Sequence, residues 1–230
     1  MKAIIAGFSP FELGFDGFSE KEIETERGKA QLFIKEGIVF LPRHGKDKTI
    51  PPHIINHQAN MLSLKSLGVS QIISINSVGS LKEEITPDDF LVPDDYIGLW
   101  DTKTFYDDKI VHITPGLDEN TRLLIMEIAS SCGIKPIDGG VYVQTRGPRL
   151  ETKAEIRFLK TLGDVVGMTM ASEATIAKEL DIPYASLCMV DNYCNGIKEE
   201  PLSFSLIKEA QRKKMGYLFN FVKQLQIEGR

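Results

Sequence analysis

The strongest constraint in this chain is a repeated alternation of short apolar runs with amphipathic stretches, strand then helix then strand. "KAIIAG" and "GIVFL" are strand runs of the buried type, the first closing on Gly7 and the second entering the Pro-bounded segment "PRHGKDKTIPP". Residues 53–67, "HIINHQANMLSLKSL", place Ile54, Ile55, Ala59, Met61, Leu62 and Leu67 ahead of Gly68, which predicts a helix with a glycine stop. "QIISINSVGS" reads as strand then turn. The order continues with "DENTRLLIMEIASSCG" as helix, "GVYVQT" as strand, "ETKAEIRFLKTLG" as helix, "DVVGM" as strand, "SEATIAKEL" as helix and "YASLCMV" as strand. "SFSLIKEAQRKKMGYLFNFVKQL" predicts a long last helix with a solvated basic face. This alternation predicts an α/β fold with a central mixed β-sheet flanked by helices. No repeat, low-complexity tract or linker interrupts it, so residues 1–230 are expected to form a single domain.

Composition narrows the partners. A net charge of -5 removes the overall basic field that nucleic acid or an anionic membrane surface would need, so neither is expected. The cysteines Cys132, Cys188 and Cys194 lack CxxC spacing, which argues against a disulfide framework and a zinc site and for reduced thiols in a cytoplasm. The first apolar run is too short for a signal-peptide core, and no stretch reaches the roughly 18 apolar residues of a membrane span. A soluble, unprocessed chain is expected.

In sheets of this kind ligands gather where strands end and loops begin. The candidate ends are 7–9, 43–44, 76–80, 145–151, 168–169 and 191–195, all carrying polar groups. Arg43 beside His44 suits a phosphate, because a guanidinium offers a forked set of charge-assisted donors; a surface ion pair is the plainer alternative. Ser77 sits in "NSVGS", where Gly79 allows close backbone approach to an anion or merely makes a turn. Thr169 offers a hydroxyl at a helix N-terminus, for an anion or for capping. In "TRGPRLETKAE", Glu151 either complements the helix dipole or faces a ligand. GxSxG, HExxH, Walker and GxGxxG patterns are absent, and His44, His53, His57 and His112 lack a metal-ligand spacing. What remains is chemistry that uses phosphate without a metal or other cofactor.

Taken together, "RHG", "PPHIINHQAN", "NSVGSLKEEITPDDF", "TFYDD", "GVYVQTRGPRLETKAE", "VVGMTMASEATIAKELDIPYASLCMV" and the loop at Asn192 resemble the trimeric purine nucleoside and methylthioadenosine phosphorylases, in that family's order over most of the chain. The resemblance implies the nucleoside phosphorylase fold and reversible phosphorolysis, with inorganic phosphate as co-substrate and no cofactor. By the same resemblance Arg43, His44, Ser77 and Thr169 bind phosphate, and Ser9, after the bulky Phe8, stands nearest the hydroxyl residue of the family's first loop. Met168 lines the ribose, and His112, with Phe105 and Tyr106 nearby, reaches the sugar end of a neighbouring subunit's site. A homotrimer is implied, alone or paired into a hexamer. Glu173 follows Ser172, where the family has Pro, and is expected to cap the helix or orient the ribose region.

The base pocket separates the branches of that family. Members acting on adenine nucleosides carry a small hydroxyl residue in place of Glu151 and acidic residues in place of Asn192 and Cys194; those acting on inosine and guanosine carry Glu and Asn at the first two positions. A 6-oxopurine offers N1–H as donor and O6 as acceptor, which a carboxylate and an amide N–H satisfy. Adenine at an ionised Glu151 would set acceptor against acceptor, a mismatch of about 1–3 kcal/mol. The expectation is therefore 6-oxopurine specificity, although "LPRHG" and "PPH" look nearer the methylthioadenosine branch. Methylthioadenosine phosphorolysis, a hydrolytic nucleosidase and a non-catalytic purine-binding protein are the alternatives.

Overall fold

Lys2–Ala6 (β1) shows how the sheet is covered. Ala3 and Ile5 pack into one apolar cluster while Ile4 and Ala6 pack into another, the period-2 signature of a strand buried on both faces. The computed structural model describes residues 1–100, 102–199 and 203–228. Beyond β1 its elements are Ser19–Thr25 (β2), Gly28–Lys35 (β3), Ile38–Pro42 (β4), His57–Ser66 (α1), Gln71–Ser80 (β5), Phe90–Val92 (β6), Asp95–Gly98 (β7), Glu119–Ser131 (α2), Ile137–Asp138 (β8), Val141–Gln144 (β9), Lys153–Leu159 (α3), Val165–Gly167 (β10), Met170–Glu179 (α4), Tyr184–Tyr193 (β11) and Phe204–Glu228 (α5). The result is the expected α/β architecture, a large mixed sheet flanked by helices.

The sheet runs β2-β3-β4-β1-β5-β10-β9-β7, with β11 also paired to β5. β5 is the trunk. Its first half pairs in parallel with β1, its full length pairs in parallel with β11, and its last residues Gly79 and Ser80 pair antiparallel with β10. This fork carries the start of α4, directly after β10, over the far end of β5. One face of the sheet is covered by α1 and α4, through Met61, Leu64, Met170 and Ala174, and the other by α2 and α5, through Ile125, Ile128, Leu218 and Phe221.

Three local expectations shift. α1 begins at His57, because Pro51 opens a short 3₁₀ turn over Pro52–Ile54 and Asn56 then caps the helix, its side chain accepting from Ala59 N. β5 continues through Ser80 where a turn was expected, since pairing with β10 and β11 occupies its end. The hairpin of β2 and β3 escapes the sequence reading because "SEKEIET" is a charged, largely exposed edge strand with little apolar alternation.

α5 docks through Leu218, Phe221, Val222 and Leu225, all fully buried at helical spacing. Phe221→Ala is expected to lower unfolding free energy by about 3–5 kcal/mol, read as a reduced urea midpoint.

Candidate active site

Alternation in three strands aims a set of polar side chains at the underside of α4. Val39 and Leu41 on β4 face the α1 and α4 side, and Arg43, two residues on, follows them; Ser74 and Asn76 on β5 and Ser186 on β11 share that face. Arg43 is 4% exposed, yet its fork does not open to a ligand. Nε lies 2.7 Å and Nη2 3.1 Å from the two oxygens of Glu173, Nη1 donates to Ile75 O at 2.7 Å and Nη2 to Ser74 Oγ at 2.5 Å. Of five N–H groups, one on Nη1 has no partner among the described residues, so Arg43 presents a single spare donor and not the open fork expected of it.

Glu173 is corrected with it. Its carboxylate turns to Arg43 and not to the N-terminus of α4, and also accepts from Tyr184 Oη at 2.8 Å; the residue is 1% exposed. Burial alone would push this carboxyl up; Arg43 outweighs burial, with help from His57 and Ser74, and holds it below the usual carboxylate range.

Above this pair lie Asn76, Thr169 and His44. Asn76 Nδ2 donates to Thr169 Oγ1 at 2.9 Å, so the Thr169 hydroxyl does not cap its own helix. The first amides of α4, Thr169 N and Met170 N, instead reach Tyr142 Oη at 3.2 and 3.3 Å. His44 Nδ1 lies 2.8 Å from Ile50 O and must carry its proton toward that carbonyl, which leaves Nε2 as a lone-pair acceptor. Burial, then Arg43, push the His44 pKa down and keep the ring neutral.

Two further expected members, Ser77 and Ser9, have hydrogen-bond partners of their own. Ser77 lies on the opposite face of β5 from Asn76, and its hydroxyl donates to Asp191 Oδ2 at 2.5 Å. Ser9 Oγ accepts from Glu12 N at 3.4 Å while Ser9 N donates to the Glu12 carboxylate at 2.8 Å, turning both toward the Phe11–Leu13 turn. Asn76 was overlooked beside Ser77: Ile72, Ser74 and Asn76 share the face toward α4 and alternate with Ile73 and Ile75, but both faces carry isoleucines, so the sequence held no signal for which one meets α4.

The residues expected at the base, Glu151, Asn192 and Cys194, lie at the end of β5 and the turn before α3. The helix α3 is capped by Thr152 and Glu155 in a reciprocal capping box, and Arg149 pairs with Glu155 at 2.8 Å. Glu151 is therefore not needed for the cap, contrary to the dipole reading. Thr145 Oγ1 donates to its Oε1 at 2.6 Å, leaving Oε2 open. Across from it, a Cβ on Gly79 would stand 2.6 Å from Cys194 Sγ and 3.1 Å from Asn192 Nδ2, so only glycine lets both side chains close over β5. Burial, then the charge of Glu151, push the Cys194 thiol up and keep it protonated.

Met168 joins His53, His57, Gln144, Arg146 and Ser172 around a small, partly open cavity. His53 and His57, not singled out as ligands by spacing, are its imidazoles. His112 lies on an exposed segment and does not line this cavity.

Polar groups converging at the ends of a forked α/β sheet define a ligand-binding α/β enzyme. The sequence profile of the Phosphorylase superfamily matches residues 2–226, and the chain belongs to that family. A probable 6-oxopurine nucleoside phosphorylase of Archaeoglobus fulgidus is 47% identical over 199 residues, covering 84% of this chain and 82% of that protein. A probable S-methyl-5'-thioinosine phosphorylase of Methanocaldococcus jannaschii is 42% identical over 233 residues, covering 96% and 92%. Among solved structures, methylthioadenosine phosphorylase from Schistosoma mansoni in complex with adenine superposes with a TM-score of 0.87 at 28% identity, covering 96% of this chain and 88% of that one.

Burial lowers the His57 pKa from 6.5 to about 4. A group whose folded pKa lies below its unfolded value stabilises the fold above the unfolded pKa and loses that contribution as pH falls. Stability is expected to drop between pH 6.5 and 4 by on the order of 3 kcal/mol from this residue. Protonation of Glu173, also depressed, adds a further loss below its unfolded value of about 4.3. Urea midpoints against pH measure this, and His57→Gln should flatten the upper part of the slope.

Proposed function

We propose that the enzyme catalyses phosphorolysis of 6-oxopurine nucleosides, among them inosine, guanosine and 5'-methylthioinosine, to the free base and the (methylthio)ribose 1-phosphate, for purine salvage. The observation that carries this is the freedom of Glu151. With Thr152 and Glu155 closing the helix cap and Thr145 occupying one oxygen, the other oxygen is an acceptor suited to purine N1–H. Asn192 supplies the amide N–H for O6 or N7. The printed names of the two relatives, a 6-oxopurine nucleoside phosphorylase and a methylthioinosine phosphorylase, support the same reading.

Phosphate is held by Thr169, Asn76 and His44, with the remaining Arg43 N–H beneath them; the side chains of Ser9 and Ser77 are not part of this set. Neutral His44 Nε2 accepts the P–OH of monohydrogen phosphate and orients its anionic oxygens toward C1'. As the oxygen approaches C1', the C1'–N9 bond breaks and its electron pair passes into the purine ring. The Asn192 N–H strengthens its bond to that developing charge, so it favours the transition state over the bound nucleoside. The fixed phosphate offsets the positive charge growing on the sugar. Met168 packs against the ribose, and His112 serves the site of a neighbouring subunit in a homotrimer, which a hexamer would contain twice. A cytoplasmic location accords with free cysteines at Cys132, Cys188 and Cys194; no helix among the described residues is long and apolar enough to cross a membrane.

Methylthioadenosine phosphorolysis is the second reading, favoured by the Schistosoma mansoni likeness. Its difficulty is electrostatic: adenine N1 is an acceptor and would face the Glu151 carboxylate.

Base release from inosine, guanosine, methylthioinosine, adenosine and methylthioadenosine, each with and without phosphate, tests the proposal. Release is expected only with phosphate and only from the 6-oxo substrates; turnover of methylthioadenosine would reverse the specificity assignment, and phosphate-independent release would indicate a hydrolase. Glu151→Gln should lower kcat/KM for inosine by about 1–3 kcal/mol of transition-state binding, roughly 5- to 150-fold.

A further inference from the structure

A second buried charge cluster lies across the sheet from the phosphate set, and no step above uses it. β11 pairs with β5 in register up to Val190 opposite Val78, then slips, so that Asn192 stands opposite Gly79. Asp191 is the extra residue of this bulge. Without it, Asp191 and not Asn192 would oppose Gly79, since a one-residue slip exchanges every later side chain.

The bulge is gripped from α5. Lys214, whose side chain is 5% exposed, donates to Val190 O and, at 2.5 Å, to Pro87 O. Its Nζ lies 3.5 Å from Asp191 Oδ1, near enough for ion pairing, and that oxygen has no hydrogen-bond partner among the described residues. The other oxygen of Asp191 accepts from Ser77 Oγ at 2.5 Å and Gln211 Nε2 at 3.0 Å. Burial pushes the Asp191 carboxyl up and the Lys214 ammonium down, each only partly offset by the other. A pair this costly to bury is poor value as a source of stability, because apolar side chains of similar size do as well. What it supplies is geometry at one point of the backbone.

We propose that Asp191 and Lys214, assisted by Ser77, are positioning residues for the purine site: through them α5 pins the β11 bulge and so sets Asn192 and Cys194 against the base. None of the three touches the substrate. The inference rests on the functional reading above, and it gives Ser77 a task in place of phosphate binding.

Steady-state kinetics with inosine and with phosphate varied separately, alongside calorimetric binding of hypoxanthine, tests it on wild type, Lys214→Met, the double variant D191N/K214M and Ser77→Ala. Lys214→Met should raise KM for inosine and weaken hypoxanthine by about tenfold, and Ser77→Ala by about threefold, with KM for phosphate unchanged in both. The double variant removes the charges together, so no charge is left buried alone; it should fold, with a lower urea midpoint because Val190 O and Pro87 O lose their donor, and fail to recover base affinity. The proposal is overturned if base and phosphate affinities fall together, or if only kcat per folded protein falls, as simple destabilisation would cause. Should Lys214→Met not fold, exposed Ser77 decides: a raised phosphate KM in Ser77→Ala would return it to the phosphate site. Absence of phosphate-dependent turnover in wild type would instead sink the functional reading, while hypoxanthine binding by the variants would still report on the bulge.

Discussion

The structure depends most on the buried ion pair of Arg43 and Glu173. Arg43 leaves the end of β4, reaches carbonyls and hydroxyls on β5, and meets a carboxylate that projects from α4, with Tyr184 of β11 closing the group. Three strands and a helix are thus fixed to one another at a single point inside the protein. Two charges without water are costly, and only the near-complete set of hydrogen bonds makes them tolerable. From there the order propagates upward: Ser74 Oγ lies 2.8 Å from both Glu173 and Asn76, and Asn76 in turn holds Thr169 at the start of α4. The start of α4 is thus aimed from beneath by a chain of side chains that begins at the Arg43–Glu173 pair.

The neighbourhood of Asn192 is organised on the same trunk but from the other side of the sheet. β5 carries Asn76 toward α4 and Ser77 toward α5, so one strand end meets both helices through alternate residues. Gly79, the next position to matter, has no side chain because Asn192 and Cys194 occupy that space. The fork of β5 between β10 and β11 is what brings these two neighbourhoods to one strand end.

Overall likeness and pocket chemistry answer different questions here. The superposition on a methylthioadenosine phosphorylase reflects a shared scaffold, which the same core alternation and helix packing would produce whatever the base. Discrimination between purines needs only a reversal of donor and acceptor at one or two side chains. In the proposed reading a carboxylate at position 151 and an amide at position 192 are such a reversal.

The sequence by itself determined the α/β class, because period-2 and helical periodicities are local properties of the chain. It also marked the segments at 43–44, 151, 168–169 and 192–194 as candidates, since strand ends carrying polar residues stand out from apolar runs. Only the tertiary structure decided what those residues face. Arg43 was legible as a charged group at a strand end, but its partner Glu173 is 130 positions away and declares itself only when α4 closes over the sheet. Ser77 and Asn76 are equally polar in print, and the choice between them rests on which face of β5 each occupies. The capping box that frees Glu151 and the bulge that turns Asn192 inward are likewise matters of pairing. A side chain's identity is local, whereas its hydrogen-bond partner is set by chain segments that meet only on folding.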